Sequence, residues 1–166
     1  MTRRGHLLAT LFGAALFGLS ACGGNVGPGE KPLIGAWEQD GIINAGAPGQ
    51  GVSIENARVV YNKDGSSTYN AELVISQAGT PQDLSRFRLD ADVDWVLEET
   101  VLTRTLGEMR VSPTADTEQA REAAAAYQQG LAGSPPAVFI VQSVDKSALE
   151  LLDPDTGETL RFRRAR

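Results

Sequence analysis

From Arg86 to Trp95 the chain alternates without a break. Phe87, Leu89, Ala91, Val93, Trp95 and Leu97 share one parity, and Arg86, Arg88, Asp90, Asp92, Asp94 and Glu98 hold the other. A strand turns successive side chains to opposite faces, so residues 85–97 predict a long strand with one apolar and one charged face. A helix would scatter these apolar residues around its whole circumference. A long one-sided strand must then be one wall of an antiparallel sheet that buries a single face.

The flanking sequence supplies the other walls. Residues 33–39, 52–62, 67–77, 100–111, 137–144, 147–152 and 158–164 are each short and apolar or β-branched, and turn chemistry separates them. Asn62-Lys63-Asp64-Gly65 marks a hairpin, because Gly65 can take the positive φ that such a turn requires. Asp145-Lys146-Ser147 and Asp153-Pro154-Asp155-Thr156-Gly157 mark two more. In the last hairpin the apolar residues must share a face, which places Leu151 opposite Leu160, Leu149 opposite Phe162, and Glu150 beside Arg161 on the outside. Residues 41–51 (GIINAGAPGQG) are too rich in Gly and Pro for regular structure. Residues 114–131 break the strand pattern. Their Ala-rich run reads as a helix capped by Thr114 or Asp116, with a narrow stripe of Ala120, Ala124, Tyr127 and Leu131.

Eight such strands in sequence, joined mostly by hairpin-sized turns, predict a mainly β fold. The expectation is an eight-stranded antiparallel up-and-down barrel with one helix inserted before the last three strands. A two-sheet sandwich is the competing arrangement, but only 41–51 and 112–136 are long enough for its crossing connections.

The N-terminus carries an address. Arg3 and Arg4 precede the uncharged apolar run 7–19, which is shorter than the roughly 20 residues of a spanning helix. The run ends in Leu19-Ser20-Ala21-Cys22. This resembles the lipobox of bacterial lipoproteins. The resemblance implies a signal peptide at 1–21, lipid attachment at Cys22, and a membrane-anchored envelope protein. Gly23 in the next position implies the outer membrane, facing the periplasm. Residues 22–32 then read as a flexible tether and 33–166 as the folded domain.

Cys22 and His6 are the only cysteine and histidine of the 166 residues. A body that starts after Cys22 therefore has no imidazole and no thiol. Ser-His-Asp and Cys-His catalysis, zinc held by His or Cys, and an internal disulfide are all excluded for it. Fifteen basic and 21 acidic side chains give a net charge of −6, and loss of Arg3 and Arg4 with the leader makes the body more acidic. An acidic body is a poor match for nucleic acid, which rewards clustered Lys and Arg. No cofactor or metal is expected. Asp90, Asp92 and Asp94 lie about 6.6–6.8 Å apart along one strand face, too far apart to converge on an ion that wants oxygens at about 2.3–2.6 Å.

Gly35-Ala36-Trp37 at the head of the first strand is similar to the Gly-x-Trp of lipocalins and of small bacterial lipocalin-like lipoproteins. Residues 149–164, ending Arg161-Phe162-Arg163-Arg164, also resemble the closing hairpin of that bacterial group. The resemblance implies a barrel with Trp37 at its closed end beneath an Arg of the last strand: Arg161, Arg163 or Arg164. The chain departs from the lipocalin order in placing its helix before the last strands.

Two readings of the interior follow. Tyr61, Tyr69, Phe87 and Trp95 either line a cavity for a small apolar ligand or fill the bore completely, as side chains can in a barrel of eight strands. Ile42 and Ile43 sit in the glycine-rich segment after the first strand, either as a lid on the barrel mouth or as part of a linker. The expected protein is a non-enzymatic binder of a small apolar molecule. The alternative is a filled barrel whose outer surface binds an envelope protein, as an assembly partner or hydrolase inhibitor. An open apolar cavity of about 300 Å³ or more separates the first from the second.

Overall fold

The alternating segment becomes one of the two longest strands, Arg86–Glu98. The computed structural model describes residues 31–44, 51–76, 79, 81 and 84–166. The segments expected to be the signal peptide and most of the tether, with Cys22, lie outside the described residues, as do 45–50 of the glycine-rich segment. The elements are β1 Gly35–Gln39, β2 Ile43–Asn44, β3 Val52–Tyr61, β4 Ser66–Ile75, β5 Arg86–Glu98, β6 Val101–Pro113, α1 Glu118–Leu131, β7 Ala137–Val144, β8 Ala148–Leu152 and β9 Thr159–Arg164.

From β3 to β9 each strand pairs antiparallel with the next, and β1 pairs with both β9 and β3. The ring therefore closes as an eight-stranded up-and-down barrel, with α1 between β6 and β7. β2 adds two residues beside β3, Ile43 opposite Ile54 and Asn44 opposite Ser53. That short strand corrects the reading of 41–51 as wholly irregular. In the last hairpin Leu149 faces Phe162, Leu151 faces Leu160 and Glu150 faces Arg161, the register demanded by a shared apolar face.

Three bulges shift the inward parity, one of them in β7, where Phe139 and Val141 pack inward before the slip and Val144 after it. In β3 the pairing slips between Glu55 and Arg58, where Asn56 takes φ 53, so Val52 and Ile54 point inward before the slip and Ala57, Val59 and Tyr61 after it. In β6 the slip lies opposite Ala91–Val93. There Gly107 packs so closely that an added Cβ would stand 3.1 Å from the Asp92 carbonyl oxygen. Leu102, Arg104 and Leu106 face inward before it, Met109 and Val111 after it. A bulge adds one residue to one strand and reverses which parity is buried beyond it.

The core has two parts. At the end of the short hairpins, Leu33, Trp37, Val59, Tyr61, Trp95, Leu102, Leu149, Leu151 and Phe162 form a solid plug. At the other end Ala57, Leu73, Ile75, Phe87, Leu89 and Val111 pack against Ala124 of α1. Burial of each large side chain contributes about 1.5–3 kcal/mol.

The helix begins later than expected. Thr117, rather than Thr114 or Asp116, is its cap, and its hydroxyl accepts from the Ala120 N–H at 3.1 Å. Ala120 and Ala124 are small enough to bring the helix close to the sheet, and the Tyr127 ring meets Phe87 edge-on at 5.0 Å. β7 pairs only with Val101–Arg104, so the far half of β6 has no strand on that side. Gln128 of α1 takes up one of the freed groups, accepting from the Val111 N–H at 3.1 Å. The helix thus stands in for a missing strand partner.

Candidate functional site

The two core clusters do not meet across the whole bore. Between them is a cavity of about 340 Å³. Its walls are mostly apolar: Ile54 of β3, Leu89, Ala91 and Val93 of β5, Leu106 and Met109 of β6, Phe139 of β7 and Leu160 of β9. Leu131, Ser134 and Pro135 border it where the chain leaves α1. Asp153, Thr156 and Glu158 of the β8–β9 turn stand on its rim, and Asn44 donates to the Glu158 carboxylate at 3.3 Å.

The residues singled out from sequence divide sharply. Ile43 and Tyr69 line the cavity. Tyr61, Phe87 and Trp95 do not; they are buried in the packing around it. Tyr61 and Trp95 meet edge-on at 5.4 Å in the plug, and the Trp95 indole N–H donates to the Ser66 carbonyl at 2.9 Å. Phe87 lies under α1. Ile42 is 62% exposed and belongs to the surface. The rings therefore fill one part of the bore and leave another part open.

At the closed end the Arg164 guanidinium stands 4.5 Å from the centre of the Trp37 ring. Arg164 also donates to the Ile34 carbonyl at 2.7 Å, and the Trp37 indole N–H donates to the Leu33 carbonyl at 2.7 Å. Gly35 completes the cluster, since a Cβ there would stand 2.7 Å from Arg164 Nη2. Arg161 and Arg163 are turned outward instead, paired with Glu150 and Glu38 at 3.3 Å each. These contacts are structural and lie away from the cavity.

A charged residue of the cavity wall had not been singled out from sequence. Arg104 projects inward from β6, with its guanidinium 5.1 Å from the Tyr69 ring centre and 5.8 Å from that of Phe139. Its Nε is buried with no hydrogen-bond partner, and so is the Tyr61 hydroxyl. Burial raises the pKa of both Tyr61 and Tyr69, and the charge of Arg104 opposes that rise in each case. The weak pattern of 101–111 hid this residue. A strand glycine commonly marks a bulge, and allowing one at Gly107 puts Leu102, Arg104 and Leu106 in phase toward the interior.

The outer acids do not gather. Asp90 accepts from the Asn70 side-chain amide at 2.7 Å, while Asp92 and Asp94 face outward on β5. Among the described residues no group of His, Cys, Asp or Glu is placed to hold a metal ion, and no helix is long and apolar enough to cross a membrane.

The described strands thus form a closed antiparallel ring of eight, with the Gly-x-Trp strand sealed by Arg164 of the last strand. No protein-family model matches the chain, and no curated protein does. Among solved structures it is similar to a lipocalin-like protein from Bacteroides uniformis, at 17% identity and a TM-score of 0.41. That similarity covers 81% of this chain and 99% of the other.

Proposed function

We propose that this chain is a lipid-anchored protein of the bacterial envelope whose barrel holds a small apolar molecule without transforming it. The observation that carries the reading is the open bore. A cavity of about 340 Å³ with mostly aliphatic and aromatic walls falls within the size range of small-molecule sites, roughly 300–1,000 Å³. Lipobox-like Leu19-Ser20-Ala21-Cys22 supports anchoring through Cys22 and an outer-membrane address facing the periplasm. The described residues around the cavity include Arg and Tyr but no His or Cys, which supports binding over catalysis.

The test is to fill the bore. Ala91 lines the cavity from β5, and Ala91→Phe should occupy it. Protein purified from envelopes in mild detergent is extracted with organic solvent, and the extract is analysed by mass spectrometry. A small apolar molecule present with wild type and lost with a folded Ala91→Phe supports the reading; equal extracts from both count against it.

A second reading has its own observation. Val96, Val101, Val138 and Ile140 are exposed on the outer face of β5, β6 and β7. Val96 and Val138 both pair with Thr103, and Val101 pairs with Ile140. Such a patch suits an envelope protein partner. Val138→Glu with Ile140→Lys should then abolish partner capture and leave the extract unchanged.

A further inference from the structure

The cavity walls are mostly apolar, and their one basic residue, Arg104, has no charged partner among the described residues. We propose that the bore takes a single-chain amphiphile with an anionic head, its carboxylate against Arg104 and its tail along the aliphatic walls. This deepens the carrier reading and rests on it.

A guanidinium stays charged at any physiological pH. Placing a charge in an apolar interior is costly unless an opposite charge or a full set of hydrogen bonds compensates it. Several arginines on the outer face of the barrel have such partners: Arg161 and Arg163 have Glu150 and Glu38, and Arg86 has Glu55 and Glu72. Among the described residues Arg104 has none. Only two ring faces, Tyr69 and Phe139, approach its guanidinium. Both rings line the cavity with it, so its charge is presented where a ligand would lie.

The remaining polarity agrees with one anionic head and an apolar body. Asp153 and Glu158 are the acids of the cavity lining, and both sit at its rim in the β8–β9 turn. They already have donors: Asp153 accepts from the Asp155 and Thr156 N–H groups at 2.8 and 3.3 Å, and Glu158 accepts from Asn44. Neither is paired with Arg104. The guanidinium offers parallel N–H groups that match both oxygens of a carboxylate, which a hydroxyl head cannot use. Beyond it Leu89, Leu106, Met109 and Leu160 offer only apolar contact.

The experiment compares decanoate with 1-decanol by isothermal titration calorimetry, on wild type, Arg104→Met and Arg104→Lys. Arg104→Met keeps the apolar stem and removes the charge; Arg104→Lys keeps the charge and loses the paired geometry. Wild type is expected to bind decanoate at least ~10-fold more tightly than the alcohol. Arg104→Met should lose that preference while still binding the alcohol, and Arg104→Lys should keep part of it. Thermal unfolding of each variant confirms that it is folded. Should Arg104→Met fail to fold, the wild-type preference and Arg104→Lys still decide. Equal binding of acid and alcohol by wild type, or an unchanged preference in Arg104→Met, overturns the anionic-head assignment and leaves the carrier reading standing. Binding of neither compound overturns both.

Discussion

The guanidinium of Arg164, the last residue of β9, lies 4.5 Å above the ring of Trp37 in β1, and the space it occupies exists because residue 35 is glycine. A Cβ at Gly35 would stand 2.7 Å from Arg164 Nη2, and the backbone there has φ 123. Gly35→Ala should therefore displace Arg164, lose a cation–π contact of about 0.5–2 kcal/mol, and strain the backbone besides. Chemical denaturation of Gly35→Ala, Arg164→Met and the double variant forms a cycle. The two losses should be non-additive, with Gly35→Ala costing less once Arg164 has gone. Strict additivity would show that the two residues act separately.

The closing hairpin separates inside from outside. Leu151 is fully buried opposite Leu160, whereas Glu150 and Arg161 pair on the solvent face at 3.3 Å. Leu151→Ala should cost about 2–5 kcal/mol, the usual range for a buried leucine. Glu150→Ala should cost no more than about 1 kcal/mol, because exposed ion pairs contribute little. Urea unfolding of both variants measures the contrast.

Ile42 and Ile43 are neighbours with different surroundings. Ile42 is in solvent, while Ile43 pairs with Ile54 and lines the cavity. Ile42→Ser should change stability by less than about 0.5 kcal/mol and leave ligand binding unaltered. Ile43→Ser should weaken binding of the co-purifying molecule. Thermal unfolding with ligand titration checks both.

Alkaline pH should unfold the protein through its buried phenols. Burial raises the pKa of Tyr61 and Tyr69, with Arg104 a smaller opposing influence. A group whose folded pKa lies above its unfolded value, near 10 for tyrosine, contributes stability below the unfolded pKa. That stability is lost as pH rises through the folded pKa. Stability should be flat near neutrality and fall above about pH 10. Tyr61→Phe also removes a buried hydroxyl without a partner, so it should be neutral or stabilising at pH 7 and should flatten the alkaline fall. Urea midpoints between pH 7 and 11 for the two proteins give the answer.

The proposed anchoring is tested at Cys22. Cys22→Ser should leave an unprocessed precursor and release the protein from the outer-membrane fraction. Maturation and membrane retention of that variant would refute attachment at Cys22.

Most of the barrel was legible because one-sided strands with hairpin turns leave few ways to hide an apolar face. The unbroken parity of Arg86 to Trp95 and the register of Leu149 to Phe162 both follow from that rule alone. The cavity was less legible for a physical reason. Whether Tyr61 and Trp95 line a space or fill it depends on how opposite walls meet, and strand parity reports only that a side chain faces inward. Arg104 was hidden by the phase reversal at Gly107, which makes 101–111 look unpatterned. Asn56 disguises the first half of β3 in the same way. The helix start was misplaced because Thr114, Asp116 and Thr117 are all capable caps, and tertiary packing selects Thr117.

Titration of decanoate into wild type and Ala91→Phe decides whether the bore is a ligand site. Wild type should show one site per chain and a negative heat-capacity change from apolar burial, and a folded Ala91→Phe should not bind. Binding of equal affinity and stoichiometry in both proteins would contradict it and place any ligand outside the barrel.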